Sequence, residues 1–436
     1  MTATDLHLLH GSTARIAAFA ARARGEAVIV RIAIGVVALH VLDDSFLQPQ
    51  PGTSAGDHLM SGVVPLVALI AIAAAYPGLR GGLRATLALV VGLFALVAGA
   101  GEAGYYAMKI GPSGDDYTGL LMLLAGIALL CIGAITLWET RRTDDSLPRR
   151  YSRRTLITLV AAFALVFVLV PLMSAYVYTH AARAVVPPPR LGASHVNVTL
   201  RTADGLRLDG WYVPSRNGAA VIAFPGRSGP QRPARMLVRH GYGVLLFDRR
   251  GEGESDGDPN ALGWAGDRDL DAAISFLENR ADVEPGHIGG IGLSVGGEML
   301  LDRAADSTAL QAVVSDGAGI RSVREAALGS SVGERFFGIP FWAVTTAGVS
   351  LFANELPPPS LEELVARIAP RAVFLIHAGH GQGGESLTPT FFEAAGEPKS
   401  LWTIPEAGHT GGIEARPAEY ERRMIAFFDQ TLMDRD

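Results

Sequence analysis

At 436 residues the chain has room for two or three domains. Hydrophobic residues make up 49% and charged residues 18%, and the mean hydropathy is +0.27, a balance that argues against both a wholly soluble and a disordered chain. One cysteine excludes an intrachain disulfide framework and a multi-cysteine metal site, and a net charge of −6 leaves no electrostatic footprint for nucleic acid.

The apolar excess lies in the first part of the chain. Residues 60–76, 85–101, 118–138 and 155–179 carry almost no charge and are long enough, with their flanks, to span a bilayer. Residues 26–42 form a fifth span despite Arg31 and His40, because Arg31 lies near one end and can snorkel. No small-residue cleavage site follows this run, so it is read as a retained span. Arginines crowd the segment before span one and the loops after spans two and four. Residues 43–58 hold only Asp43, Asp44 and Asp57, and residues 102–117 set Lys109 against Glu102, Asp115 and Asp116. The positive-inside rule predicts a multi-pass cell-membrane protein with a cytoplasmic N-terminus and an extracytoplasmic C-terminal domain. His40, Asp43, Asp44, Asp57 and His58 then fall on the outer side, and they read as a wet helix end with capping carboxylates rather than a metal site. The lipid bilayer is the expected partner; oligomeric state has no readable signal.

The predicted domains are an all-α transmembrane bundle at 1–182, a Pro-rich linker at 183–194 and an α/β domain at 195–436. In the last, strands are predicted at 196–202, 206–213, 219–224, 243–248, 287–293, 310–315, 372–377 and 400–405. Helices are expected at 230–240, 264–280, 295–305, 389–396 and 416–432. The first two strands alternate and flank the turn Ala203-Asp204-Gly205, which suggests a hairpin. The later strands are continuous apolar runs, as in a parallel sheet buried on both faces. Strands alternating with helices give a doubly wound, mostly parallel sheet. Residues 320–368 interrupt the alternation and read as a small cap.

Gly292-Leu293-Ser294-Val295-Gly296 is a G-x-S-x-G pentapeptide between a strand-like and a helix-like run. Small residues at both ends are needed because the serine sits on a sharp, strained turn. A serine hydroxyl needs a base to become a nucleophile. His409 fits, in a Gly-rich loop after the last strand; His240, His287 and His377 compete but read as surface or packing residues. An acid must orient the imidazole. Glu385 is favoured, Asp316 is the rival, and Glu393, Glu397 and Glu406 are further acidic candidates. The oxyanion hole needs two N–H donors; Val295 and Arg227, in the loop after the third strand, are predicted to supply them. Asp248, Arg249, Arg250, Glu252 and Glu254 form a charge run read as mainly structural.

With FPGRSG (224–229), GYGVLLFDRRGEGESDG (241–257), DLDAAISFL (269–277), GLSVGG (292–297) and PEAGHTGG (405–412), the domain from about 195 to 436 resembles the α/β-hydrolase superfamily, in its dienelactone-hydrolase-like and serine-aminopeptidase-like branch. The resemblance implies a serine-nucleophile hydrolase on an eight-stranded sheet. Two departures stand out: Pro225 replaces a histidine common before the oxyanion-loop glycine, and Glu385 lies farther beyond its strand than the usual aspartate. The expected activity is cleavage of an ester or related acyl bond in a small acyl-containing or peptide substrate, with no metal or organic cofactor. Alternatives are an acyltransferase or peptidase on the same triad, and a non-catalytic membrane sensor or scaffold with a hydrolase-like binding domain.

Overall fold

The computed structural model describes residues 24–140, 146–329 and 331–433. Five long apolar helices come first: α1 (Arg24–Leu47), α2 (Leu59–Gly78), α3 (Gly81–Lys109), α4 (Asp116–Glu139) and α5 (Leu147–Thr179). Each has the length and composition to cross a membrane, as the charge-free runs imply. Of the arginines that weigh on orientation, Arg15, Arg22, Arg141 and Arg142 lie outside the described residues.

The chain divides into two compact units. One holds residues up to Pro49 and Ser54–Met173; the other holds Gln50–Thr53 and Ser174–Asp436. The division thus falls inside α5, ahead of the composition change at 183. In the first unit, α3 and α4 pack through small residues: a Cβ added to Gly92 would lie 2.9 Å from the Gly126 carbonyl oxygen, and one on Gly99 would lie 2.7 Å from that of Gly119. Close backbone approach of this kind replaces the hydrophobic effect as the source of helix association in lipid. The His40 ring contacts the Thr118 hydroxyl at 3.0 Å, and that hydroxyl donates to Asp43 at 2.9 Å. The polar helix end is therefore satisfied internally through Asp43.

The second unit is built on eight strands: β1 (Val196–Arg201), β2 (Arg207–Val213), β3 (Ala220–Phe224), β4 (Gly243–Phe247), β5 (Ile288–Leu293), β6 (Leu310–Asp316), β7 (Ala372–His380) and β8 (Lys399–Gly408). Their order is β1-β2-β4-β3-β5-β6-β7-β8. β1 and β2 form the antiparallel hairpin, β2 pairs antiparallel with β4, and the remaining pairs are parallel. The α-helices of five residues or more are α6 (Arg232–Arg239), α7 (Gly266–Glu278), α8 (Val295–Asp306), α9 (Val332–Ala353), α10 (Leu361–Val365), α11 (Thr388–Ala394) and α12 (Pro417–Phe428).

Successive residues of a strand point to opposite faces, so β3 and β4 feed two cores. Ile222, Leu245 and Phe247 pack with Leu270, Leu277 and Leu300. Val221, Val244 and Leu246 pack with Leu237, Met424 and Phe428. Continuous apolar runs are what this two-sided burial demands. Between β6 and β7 sits the insertion, dominated by α9. Its C-terminal half is anchored: Val349 shares a small apolar cluster with Leu262, Trp264 and Ala175, the last from the end of α5. The Ala261 N–H donates to the Tyr178 carbonyl at 2.7 Å, and Arg183 bonds to the Gln50 side chain and the Ser255 and Gly257 carbonyls.

Candidate active site

β5 ends at Leu293 and α8 begins at Val295, leaving Ser294 alone on the turn. Its backbone angles are φ 52° and ψ −128°, a region closed to most side chains. Such strain costs about 1–3 kcal/mol and persists only where neighbours enforce it. The neighbours here are glycines. A Cβ on Gly292 would lie 2.3 Å from the Gly296 carbonyl carbon and the Gly297 nitrogen, and one on Gly296 would lie 2.4 Å from the Phe224 Cβ. Backbone atoms cannot swing away, so Gly292→Val is expected to destabilise the fold by about 3 kcal/mol or more. A thermal-unfolding series on the detergent-solubilised full chain checks this; an unchanged transition would contradict it.

The Ser294 N–H donates to the Asp316 carbonyl at 2.7 Å, pinning the turn to the end of β6. Ser294 Oγ lies 3.0 Å from His409 Nε2, and His409 Nδ1 lies 2.9 Å from Glu385 Oε2. β8 runs to Gly408 and delivers His409 at its tip. Glu385 opens a short 3-10 turn after β7, and its other oxygen accepts the Ala378 N–H at 2.8 Å. Glu385 is fully buried while His409 is partly exposed. The carboxylate therefore works in a shielded setting, and the imidazole meets both it and the serine. The hydrogen bond that His409 donates to Glu385 raises the His409 pKa above the ordinary histidine value, against the opposing pull of partial burial.

Asp316, the rival acid, is hydrogen-bonded to Tyr420 and not to the imidazole. One of its oxygens accepts the Tyr420 hydroxyl at 3.1 Å, and the other is buried without a hydrogen-bond partner. Burial pushes its carboxyl up to about 7. Glu393 lies on α11 and Glu397 beyond it, while Glu406 is exposed and paired with Arg416.

One expectation requires correction. The Arg227 N–H is not open to an oxyanion: it donates to Asp248 Oδ1 at 2.8 Å. Its side chain is buried as well, with Nε donating to Asp248 Oδ2 at 2.9 Å and a terminal nitrogen 3.0 Å from Glu254. Asp248 is fully buried, so the arginine neutralises a carboxylate that would otherwise cost several kcal/mol to bury. The rest of the charge run is structural too: Arg250 pairs with Asp269 and Asp204, and Arg249 with Glu252. Val295 keeps its place at the first position of α8, where helix N–H groups lack intrahelical acceptors and the dipole favours negative charge.

Parts of this chain are similar to known proteins. The family model described as X-Pro dipeptidyl-peptidase (S15 family) matches residues 173–334. The uncharacterized protein YfhR of Escherichia coli K12 is 27% identical over 306 residues, covering 64% of this chain and 95% of that protein. The uncharacterized protein Rv2307c of Mycobacterium tuberculosis H37Rv is 30% identical over 233 residues, covering 49% of this chain and 72% of that protein. The chain belongs to the α/β-hydrolase superfamily. Among solved structures, the Pyrococcus furiosus esterase Pf2001 is 22% identical, with 57% of this chain and 98% of that one covered at a TM-score of 0.46. In this α/β-hydrolase Ser294, Glu385 and His409 follow the C-terminal ends of β5, β7 and β8, at one edge of the parallel sheet.

Proposed function

We propose that the protein is a membrane-anchored serine hydrolase that cleaves an ester or related acyl bond outside the cytoplasm. The observation that carries the reading is the unbroken hydrogen-bonded line from Ser294 Oγ through His409 to Glu385. In it, Ser294 Oγ attacks the acyl carbon while His409 Nε2 takes the hydroxyl proton. In this reading the resulting oxyanion is stabilised by the Val295 N–H and by a second N–H from the Gly226–Gly229 turn, since the Arg227 N–H is bonded to Asp248. The acyl C–O bond breaks as His409 returns its proton to the departing alcohol oxygen, leaving an acyl-serine. A water, deprotonated by His409, attacks that ester, and the proton passes back to Ser294 as the acid leaves. Glu385 keeps Nδ1 protonated and balances the transient imidazolium.

A fluorophosphonate probe on the full-length protein tests the reading. Labelling of the folded wild type that disappears in Ser294→Ala is expected; a folded wild type that takes no label would favour the binding-module alternative.

Orientation belongs to the same proposal. Gln50–Thr53, from the arginine-free loop between α1 and α2, fold with the hydrolase unit. The charge rule reads that loop as outside, and in this proposal the hydrolase lies outside with it. Protease added to right-side-out vesicles is therefore expected to digest the C-terminal unit; complete protection would reverse the orientation.

A further inference from the structure

Helix α9 is long and apolar enough to cross a bilayer, yet the sheet forbids it. β6 and β7, which flank the insertion, pair in parallel from Ala312 with Ala372 to Asp316 with Ile376. A single crossing would strand β7 and β8, with Glu385 and His409, on the far side from β6. The helix stays with the hydrolase, and its apolar surface needs another explanation.

That surface is concentrated in the N-terminal half. Val332, Phe336, Phe337 and Ile339 are exposed, the two phenylalanines at 67% and 58%. Phe336 and Phe337 stack edge to face, with ring centroids 5.1 Å apart, and Phe341 and Trp342 follow half-buried. Arg335 is exposed beside them. An apolar helix tip carrying aromatics and a flanking cation has the composition of an interfacial membrane helix. Its other half carries the second observation. Val349 clusters with Ala175, and Phe352 meets Tyr176 edge to face at 5.7 Å, both from the last turns of α5. The cap helix is thus tied to the segment where the chain emerges from its final span. It is tied to the reaction centre as well. Trp264 of the same cluster donates to the Arg321 carbonyl in the insertion, and a Cβ on neighbouring Gly263 would lie 2.7 Å from Val295 Cγ2.

We propose that the α9 tip inserts into the surface of the bilayer that holds α1–α5, and that the substrates are esters of long acyl chains drawn from that bilayer. This rests on the hydrolase reading above and adds the substrate class to it. The apolar tip contacts lipid tails, and the anchored half connects that contact to the Val295 side of the elbow.

The test has two arms on the full-length protein in phosphatidylethanolamine–phosphatidylglycerol vesicles. The first replaces the lone Cys131 with serine and attaches an environment-sensitive fluorophore at Phe337→Cys, with Thr308→Cys, at the start of the loop leading into β6, as the reference site. Spin-labelled lipids are expected to quench the label at 337 and not at 308; equal emission at the two sites would overturn the membrane contact. The second compares wild type with the double variant Phe336→Gln, Phe337→Gln on a water-soluble short-chain ester and on a vesicle-held long-chain acylglycerol. The bilayer-held substrate is expected to lose about tenfold or more in kcat/KM, from the apolar area withdrawn from lipid, with the soluble ester within about twofold. Equal losses on both, or none on either, would overturn the substrate assignment. Quenching at 337 with no wild-type turnover of either ester would instead sink the hydrolase reading while the membrane contact stands.

Discussion

Ser294→Ala is expected to abolish fluorophosphonate labelling and to lower acyl-ester turnover by about four orders of magnitude or more, the range found when a serine-hydrolase nucleophile is removed. In the proposed mechanism the hydroxyl oxygen is the atom that forms the covalent bond, and His409 Nε2 faces it at 3.0 Å. The fold should survive, because the residues that enforce the bend are Gly292 and Gly296, and alanine at 294 keeps the Ser294 backbone bond to Asp316. His409→Ala should cost nearly as much, and the double variant little more than either alone, since the two act as one device. Turnover by folded Ser294→Ala within tenfold of wild type would end the covalent mechanism.

Replacing the two acids separates their roles. Glu385→Gln is expected to cost about 10²–10⁴-fold in kcat, because glutamine neither fixes the Nδ1–H tautomer nor balances the imidazolium. Asp316→Asn should stay within about tenfold, since Asp316 bonds Tyr420 and not the imidazole. The pH profile adds a signature. His409 must be neutral to accept the serine proton, so kcat/KM falls as pH drops through its pKa, which the Glu385 hydrogen bond raises. Glu385→Gln removes that cause, and the acid limb should move to lower pH; a limb that stays in place would contradict the pairing. Asp316 has a stability signature of the opposite kind to a salt-bridged carboxylate. Its native pKa, about 7, lies above the unfolded value, so its contribution is fully present in acid and is lost as pH rises toward 7. Asp316→Asn should flatten that decline in thermal unfolding between pH 4 and 8.

Much of the fold was legible because its signals are local. Eight apolar runs became eight strands, and the elbow announced itself in five residues between β5 and α8. The five N-terminal spans followed from their lack of charge. The choice between Glu385 and Asp316 was open in the sequence, since both follow a strand and either side chain is long enough. The imidazole is hydrogen-bonded to Glu385 because the 381–385 turn buries that side chain against the Ala378 N–H. Arg227 was misread for a related reason. Its N–H looks free along the chain, and the carboxylate that claims it is 21 residues away, on the end of a neighbouring strand. The apolar exposure of α9 was hidden as well: the aromatics of 336–342 read equally as packing, and composition does not say which side of a helix is left bare.

The position of the unit boundary inside α5 bears on where the hydrolase unit can be cut from the apolar helices. Ala175 covers Leu262, Trp264 and Val349, Tyr178 accepts from Ala261, and Arg183 ties Gln50 to Ser255 and Gly257. A fragment trimmed at residue 190 lacks all three contacts. The last turns of α5 thus belong to the hydrolase unit itself, and under the proposed function a cut that removes them is expected to lower activity as well as detach the unit.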